Sequence, residues 1–246
     1  MSNIAIIGGT GLTKLSELEI NKRVEVHTAF GKPSEPLTYG TLFGREVIFL
    51  PRHGGGHTIP PHMINYRANI RALRDAGVEK VIAIAACGAM DETFVPTSLA
   101  IPDQIIDYTW GRKHTFYEEG LEDVTHIDFS NPYDEKLRQA LIEACQQANI
   151  QFSDYGTYAA AQGPRLETAA EIKRMQRDGC TMVGMTGMPE AALARELGMA
   201  YACCAVSVNW AAGKTEAEIT MEDIIHCLGE GMSNIKAMLE RLVVLL

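Results

Sequence analysis

The sequence predicts an α/β protein, one domain spanning residues 1–246, with a mixed central β-sheet flanked by helices. Three observations predict it. Lys80 to Ala86 (KVIAIAA) is a continuous apolar run of the kind buried in a parallel sheet, and it stops at Cys87-Gly88. Thr181 to Ala211 reads as strand, helix, strand, with polar residues only at the carboxyl ends of the strands, where an α/β sheet holds its ligands. Val24 to Leu50 alternates extended segments with turns at Gly31-Lys32-Pro33 and Phe43-Gly44-Arg45, which adds antiparallel strands and makes the sheet mixed.

Taken in order, Asn3 to Ile7 is a short apolar strand followed by Gly8-Gly9-Thr10-Gly11. This turn lacks the GxGxxG spacing, an immediate helix and the later acid of a dinucleotide fingerprint, so it reads as a small-anion loop, with a plain structural turn as the alternative. The strand Glu46 to Leu50 delivers Pro51-Arg52-His53 and three glycines, which places side-chain donors and open backbone at one point. A solvated basic loop is the other reading. Asn65 to Asp75 has helical spacing and a stop at Gly77. Leu99 to Tyr108 reads as a strand, and Trp110 to Phe129 as a long polar excursion carrying His114 and His126, of a length usually tied to function or an interface. Pro132 to Ala148 is an amphipathic helix, Tyr155 to Ala161 a strand leading to Gln162-Gly163-Pro164-Arg165-Leu166-Glu167-Thr168, and Glu171 to Arg177 the start of another helix. Strand ends then deliver Met185 and Thr186, a helix opens near Pro189, and Tyr201 to Val208 is an apolar strand ending at Asn209. Thr220 caps a last helix, with Met221, Ile224 and Ile225 on one side of its first turns.

The bulk properties exclude several classes. A net charge of −9 argues against a broad nucleic-acid or anionic-membrane footprint. No apolar run reaches the roughly 18 residues of a membrane span and the amino terminus lacks a basic leader, so a cytoplasmic location is expected. Cys87, Cys145, Cys180, Cys203, Cys204 and Cys227 lack CxxC spacing and read as buried free thiols; neither they nor the seven histidines form a metal motif.

Together GGTGL, RHGGGHTIPPHMINYRANI, ACG, QGPRLET and GMTGMPEAALARELGMAYA resemble the trimeric purine nucleoside phosphorylases, especially the methylthioadenosine phosphorylase branch, in five motifs from about Ile4 to Leu239. The resemblance implies the nucleoside phosphorylase fold and a glycosyl transfer in which phosphate attacks the anomeric carbon of a purine nucleoside. It implies phosphate as co-substrate and no metal or organic cofactor. Carried over by residue, Thr10, Arg52, His53, Ala85, Ala86 and Thr186 match the phosphate site, with Ala85 standing where the thio branch often has threonine. Cys87, Gly88, Leu166, Glu167, Met185, Asn209, Ala211, Met221, Ile224 and Ile225 match the nucleoside site, and His126 a residue contributed by a neighbouring subunit of a homotrimer. Asn209 is the expected catalytic donor to the leaving purine.

Departures from the branch pattern refine the substrate. The methylthioadenosine branch has aspartate at the positions of Asn209 and Ala211 and serine at that of Glu167, whereas the 6-oxopurine branch has glutamate and asparagine at the positions of Glu167 and Asn209. A carboxylate accepts only, so Glu167 suits the N1–H of a 6-oxopurine, and the Asn209 amide can donate to O6 or N7. At the sugar end, Met221, Ile224 and Ile225 suit a methylthio group over a 5′-hydroxyl. The expected reaction is therefore S-methyl-5′-thioinosine plus phosphate giving hypoxanthine and 5-methylthioribose 1-phosphate, a step of purine salvage. The alternatives are methylthioadenosine, then 6-oxopurine nucleosides in general, and, outside enzymes, a protein that binds nucleoside without turnover.

Overall fold

Strand β5 (Lys80–Ala89) is the hub of the sheet in the computed structural model, which describes residues 3–9, 15–216 and 218–246. Its first half pairs in parallel with β1 (Ile4–Gly8) on one side and along its length with β11 (Ala200–Trp210) on the other. Side chains alternate across the strand, and both faces are apolar. Val81, Ala83, Ala85 and Cys87 enter one core with residues of α1 (Tyr66–Asp75) and α4 (Gly187–Glu196), whereas Ile82 and Ile84 enter a second with α2 (Glu135–Gln147) and α5 (Met221–Leu245). Burial on both faces explains why the run KVIAIAA has no polar alternation.

Outward from β1 lie β4 (Arg45–Pro51), parallel to it, then β3 (Leu37–Leu42) and β2 (Leu18–Val24), both antiparallel to their neighbours. The far end of β5 also pairs with β10 (Met182–Gly184), antiparallel, and the sheet continues through β9 (Thr157–Ala160) to β7 (Gln104–Asp107). A mixed sheet flanked by five α-helices is thus the architecture among the described residues. None of these helices is long and apolar enough to cross a membrane.

Several elements differ from the sequence reading. The expected strand Leu99 to Tyr108 is two strands, β6 (Leu99–Ala100) and β7, because Pro102 between them has no N–H for a ladder. The two halves serve different neighbours, β6 pairing with β11 and with β8 (Phe152–Ser153), and β7 with β9. Residues 25–36, expected to be extended segments on either side of a turn at Gly31-Lys32-Pro33, form only a Thr28–Gly31 bridge, and Asn69 of α1 anchors them by accepting from the Ser34 amide (2.7 Å). Strand β2 stands where no element was expected; its exposed Glu19, Lys22 and Arg23 are the charges of an edge strand that resists further pairing. Helix α2 starts at Glu135, three residues later than expected, because the Asp134 carboxylate caps the Leu137 amide (2.8 Å).

Candidate active site

Because β1, β4, β5 and β11 are mutually parallel, their carboxyl ends open at one edge of the sheet. They deliver Gly9, Arg52 and His53, Ala85 to Gly88, and Val208 and Asn209 to a single cavity of about 780 Å³. Strand β10 runs the other way against the end of β5 and brings Met185 and Thr186 across the same opening. That crossing is close: a Cβ on Gly184 would lie 2.1 Å from Tyr158 Oη and 2.9 Å from Cys87 Sγ, so only glycine fits. Leu166 and Glu167 close one side, and Ile219, Ile224 and Ile225, around the start of α5, close another.

At one end, Arg52 is 1% exposed and Glu190, in α4, 0%. Arg52 Nε donates to Glu190 Oε2 (2.9 Å) and Nη2 to Glu190 Oε1 (2.8 Å), a bidentate pair. Nη1 also donates to the Ile84 carbonyl (2.8 Å) and Nη2 to that of Ile7 (3.4 Å). Of the five guanidinium N–H groups, one on Nη1 has no acceptor among the described residues. Nη1 lies beside Gly9, on which a Cβ would come within 3.2 Å of it. His53 Nδ1 faces the Ile59 carbonyl at 2.8 Å, an obligate acceptor, so Nδ1 carries the proton. Burial holds the His53 pKa down at about 4, which leaves Nε2 a neutral acceptor at pH 7. Thr186 precedes α4 and makes no capping side-chain bond; Met188 is extended within that element, so its regular helix opens at Pro189, where the sequence predicts it.

The other end is built differently. In the loop before α3 (Ala169–Arg177), Thr168 and Glu171 form a reciprocal capping box, and Glu171 takes the Arg165 guanidinium in two bonds of 2.7 and 2.8 Å. These bonds pull the Glu171 pKa down to about 2. With Arg165 so engaged, Glu167 has no cation bonded to it: its Oε1 is buried with no hydrogen-bond partner among the described residues, and burial raises its pKa more than the charge of Arg165 lowers it. Asn209 is aimed by a bulge in β11, which puts it, instead of Val208, opposite Gly88. Its Nδ2 donates to the Trp210 carbonyl (2.7 Å), which fixes the amide and leaves one N–H and Oδ1 for a ligand.

The structure thus gathers Arg52, His53, Ala85, Ala86, Cys87, Gly88, Leu166, Glu167, Met185, Thr186, Asn209, Ile224 and Ile225 around one cavity. Ala211 does not line it; its Cβ is buried against Gly88, and Ala212 faces the cavity instead. His126 is exposed and away from the cavity of its own chain. Thr10 and the side chain of Met221 lie outside the described residues. Sequence reasoning missed Glu190, an acid in a first helical turn, and Ile219. It also missed Arg112, a buried guanidinium from the long excursion. Arg112 donates to the carbonyls of Ala161, Gln162, Met185 and Met188 and so ties together the two segments that carry the cavity wall.

A family model described as the phosphorylase superfamily matches residues 3–244. A Pseudomonas syringae protein named probable S-methyl-5′-thioinosine phosphorylase is 53% identical over 243 residues, 99% of each chain. The 6-oxopurine nucleoside phosphorylase of Pyrococcus furiosus is 45% identical over 93% of this chain and 87% of its own. Among solved structures, methylthioadenosine phosphorylase from Schistosoma mansoni in complex with adenine superposes with a TM-score of 0.94 at 32% identity, covering 100% of this chain and 92% of that one. With a matching model over nearly its whole length and relatives that share half its residues, this chain belongs to the phosphorylase superfamily.

Proposed function

We propose that this chain catalyses phosphorolysis of S-methyl-5′-thioinosine, releasing hypoxanthine and 5-methylthioribose 1-phosphate, as a pentosyltransferase of purine salvage. The observation that carries the choice of base is the buried, unpartnered Glu167 Oε1 at the cavity wall. An ionised carboxylate there accepts the N1–H of a 6-oxopurine and repels the N1 lone pair of adenine. The remaining Asn209 N–H donates to O6 or N7. Rejection of the mismatched base is strong because it leaves buried polar groups unpaired. Ile219, Ile224 and Ile225 supply an apolar berth for the methylthio group, and the name of the Pseudomonas syringae relative agrees.

Phosphate, as hydrogen phosphate, sits between the Arg52 Nη1 N–H, the Ala85–Ala86 backbone and Thr186, with its own O–H donated to the neutral His53 Nε2 and Thr10 completing the set. An anionic nucleophile needs holding in line, not a general base. The bond to the purine breaks through an oxocarbenium-like state above Met185. Negative charge gathers on the departing base, where the Asn209 donor strengthens its hold as the charge grows. The scheme uses no metal or organic cofactor. We place the enzyme in the cytoplasm as one domain and a homotrimer, each cavity completed by His126 of a neighbouring copy.

The test is base release with and without phosphate from methylthioinosine, methylthioadenosine, inosine and adenosine. Phosphate-dependent preference for methylthioinosine is expected. A preference for methylthioadenosine would discard the Glu167 argument, and phosphate-independent or absent release would discard phosphorolysis.

A further inference from the structure

Glu190 lies behind the cavity wall, touches no part of the cavity, and still accepts three hydrogen bonds from buried donors. Two come from Arg52; the third comes from the Tyr201 hydroxyl in β11 (2.9 Å), itself 3% exposed. A buried ion pair is a poor way to gain stability, since desolvation offsets most of its attraction and well-packed apolar residues serve as well. Its geometric effect is specific. The two parallel bonds fix the guanidinium plane, the Ile84 carbonyl takes one of the two Nη1 hydrogens, and the other is left without an acceptor among the described residues, on a nitrogen beside Gly9 at the cavity. Tyr201 in turn fixes the carboxylate.

We infer that Glu190, held by Tyr201, is a positioning residue for the anionic co-substrate: it turns Arg52 from a mobile point charge into one directed N–H, and cancels its net charge while the site is empty. Phosphate is then recognised by direction more than by long-range attraction. This inference rests on the placement of phosphate beside Arg52 proposed above.

The experiment measures separate saturation curves for phosphate and for methylthioinosine in the wild type and in Glu190→Gln, Tyr201→Phe and Arg52→Lys. Loss of one charge-assisted bond and of the fork geometry should raise the phosphate KM of Glu190→Gln about 10-fold or more while the nucleoside KM stays within about 2-fold. Tyr201→Phe should raise the phosphate KM about 3-fold by loosening the carboxylate. A merely structural role would lower melting temperature and move both KM values together, or neither, and either result overturns the inference. A lower phosphate KM in Glu190→Gln also overturns it, because it would mean that Glu190 opposes phosphate by its charge. Should Glu190→Gln fail to fold, Tyr201→Phe decides alone, and an unchanged phosphate KM rejects the role. Arg52→Lys separates the two levels. If it keeps the wild-type phosphate KM, the placement of phosphate is wrong; if it is impaired while Glu190→Gln is normal, only the Glu190 inference falls.

Discussion

At one end of the cavity Arg52 meets its counter-charge inside the protein, with Glu190 and two carbonyls taking four of its five donors. At the other end Glu167 has a buried oxygen that nothing in the described chain answers, although Arg165 is two residues away and is drawn off by Glu171. The first region is preorganised and close to electrically balanced. The second holds a desolvated acceptor whose cost is relieved, while it is ionised, by a ligand that brings a donor. An anion common to every substrate can be held by a balanced, directional site, whereas discrimination between bases needs a group that punishes the wrong partner.

The largest expected break in this contrast comes from removing the balance. Arg52→Met leaves Glu190 buried and uncompensated, so denaturant unfolding should show a loss of about 3–5 kcal/mol in addition to a weakened response to phosphate. Asn209→Ala should lower kcat by about 100-fold with little change in nucleoside affinity, because its donor matters most as charge develops on the base; equal losses in binding and turnover would remove that role. Gly184→Ala pushes a methyl into Tyr158 Oη and should cost about 1–3 kcal/mol in a thermal melt, unlike a glycine at an open turn. Glu167→Ser should improve methylthioadenosine relative to methylthioinosine by about 10-fold, the value of one mismatched buried hydrogen bond. The same ratio should respond to pH in the wild type. Burial raises the Glu167 pKa, so the carboxylate and its selectivity are present above that pKa and are lost as pH falls through it, when the protonated acid becomes a donor that adenine N1 can accept. A flat ratio from neutral to acidic pH would break the assignment. The smallest effect is expected at the loop's anchor, where Thr168→Ala removes the cap of α3 and should cost about 1 kcal/mol.

Much of this was legible in the sequence where one local pattern carried the information. The apolar run before Cys87-Gly88 and the polar residues after Tyr201–Val208 marked two strands that run on to Ala89 and Trp210, and the carboxyl-terminal parts of these strands place the site. Thr220 before an amphipathic run marked the start of α5. What escaped was long-range pairing. Glu190 finds Arg52 across 138 residues, and an acid in a first helical turn already has a local explanation in the helix dipole, so nothing in GMPEAALARE demanded a partner. Arg112 was hidden in the same way, since a cation in a polar excursion reads as solvated until carbonyls from two distant segments close on it. The split at Pro102 was visible as a proline but not as two strands, because the reason for the break lies in their different neighbours.

The four parallel strands whose ends form the cavity also bear on how the chain reaches its native state. Their registers join Ala5 to Ile48, Ile4 to Lys80, and Ala200 to Lys80, so the edge on which the site stands closes only when the first strand and the last lie on either side of β5. Loop-closure entropy has to be overcome before such pairings are rewarded, and chains dominated by them fold slowly. The helices α1, α2, α3 and α5, by contrast, carry their caps locally. During refolding, helical signal should therefore return ahead of catalytic activity, and the regain of turnover becomes a clock for the last strand, β11, locking into place.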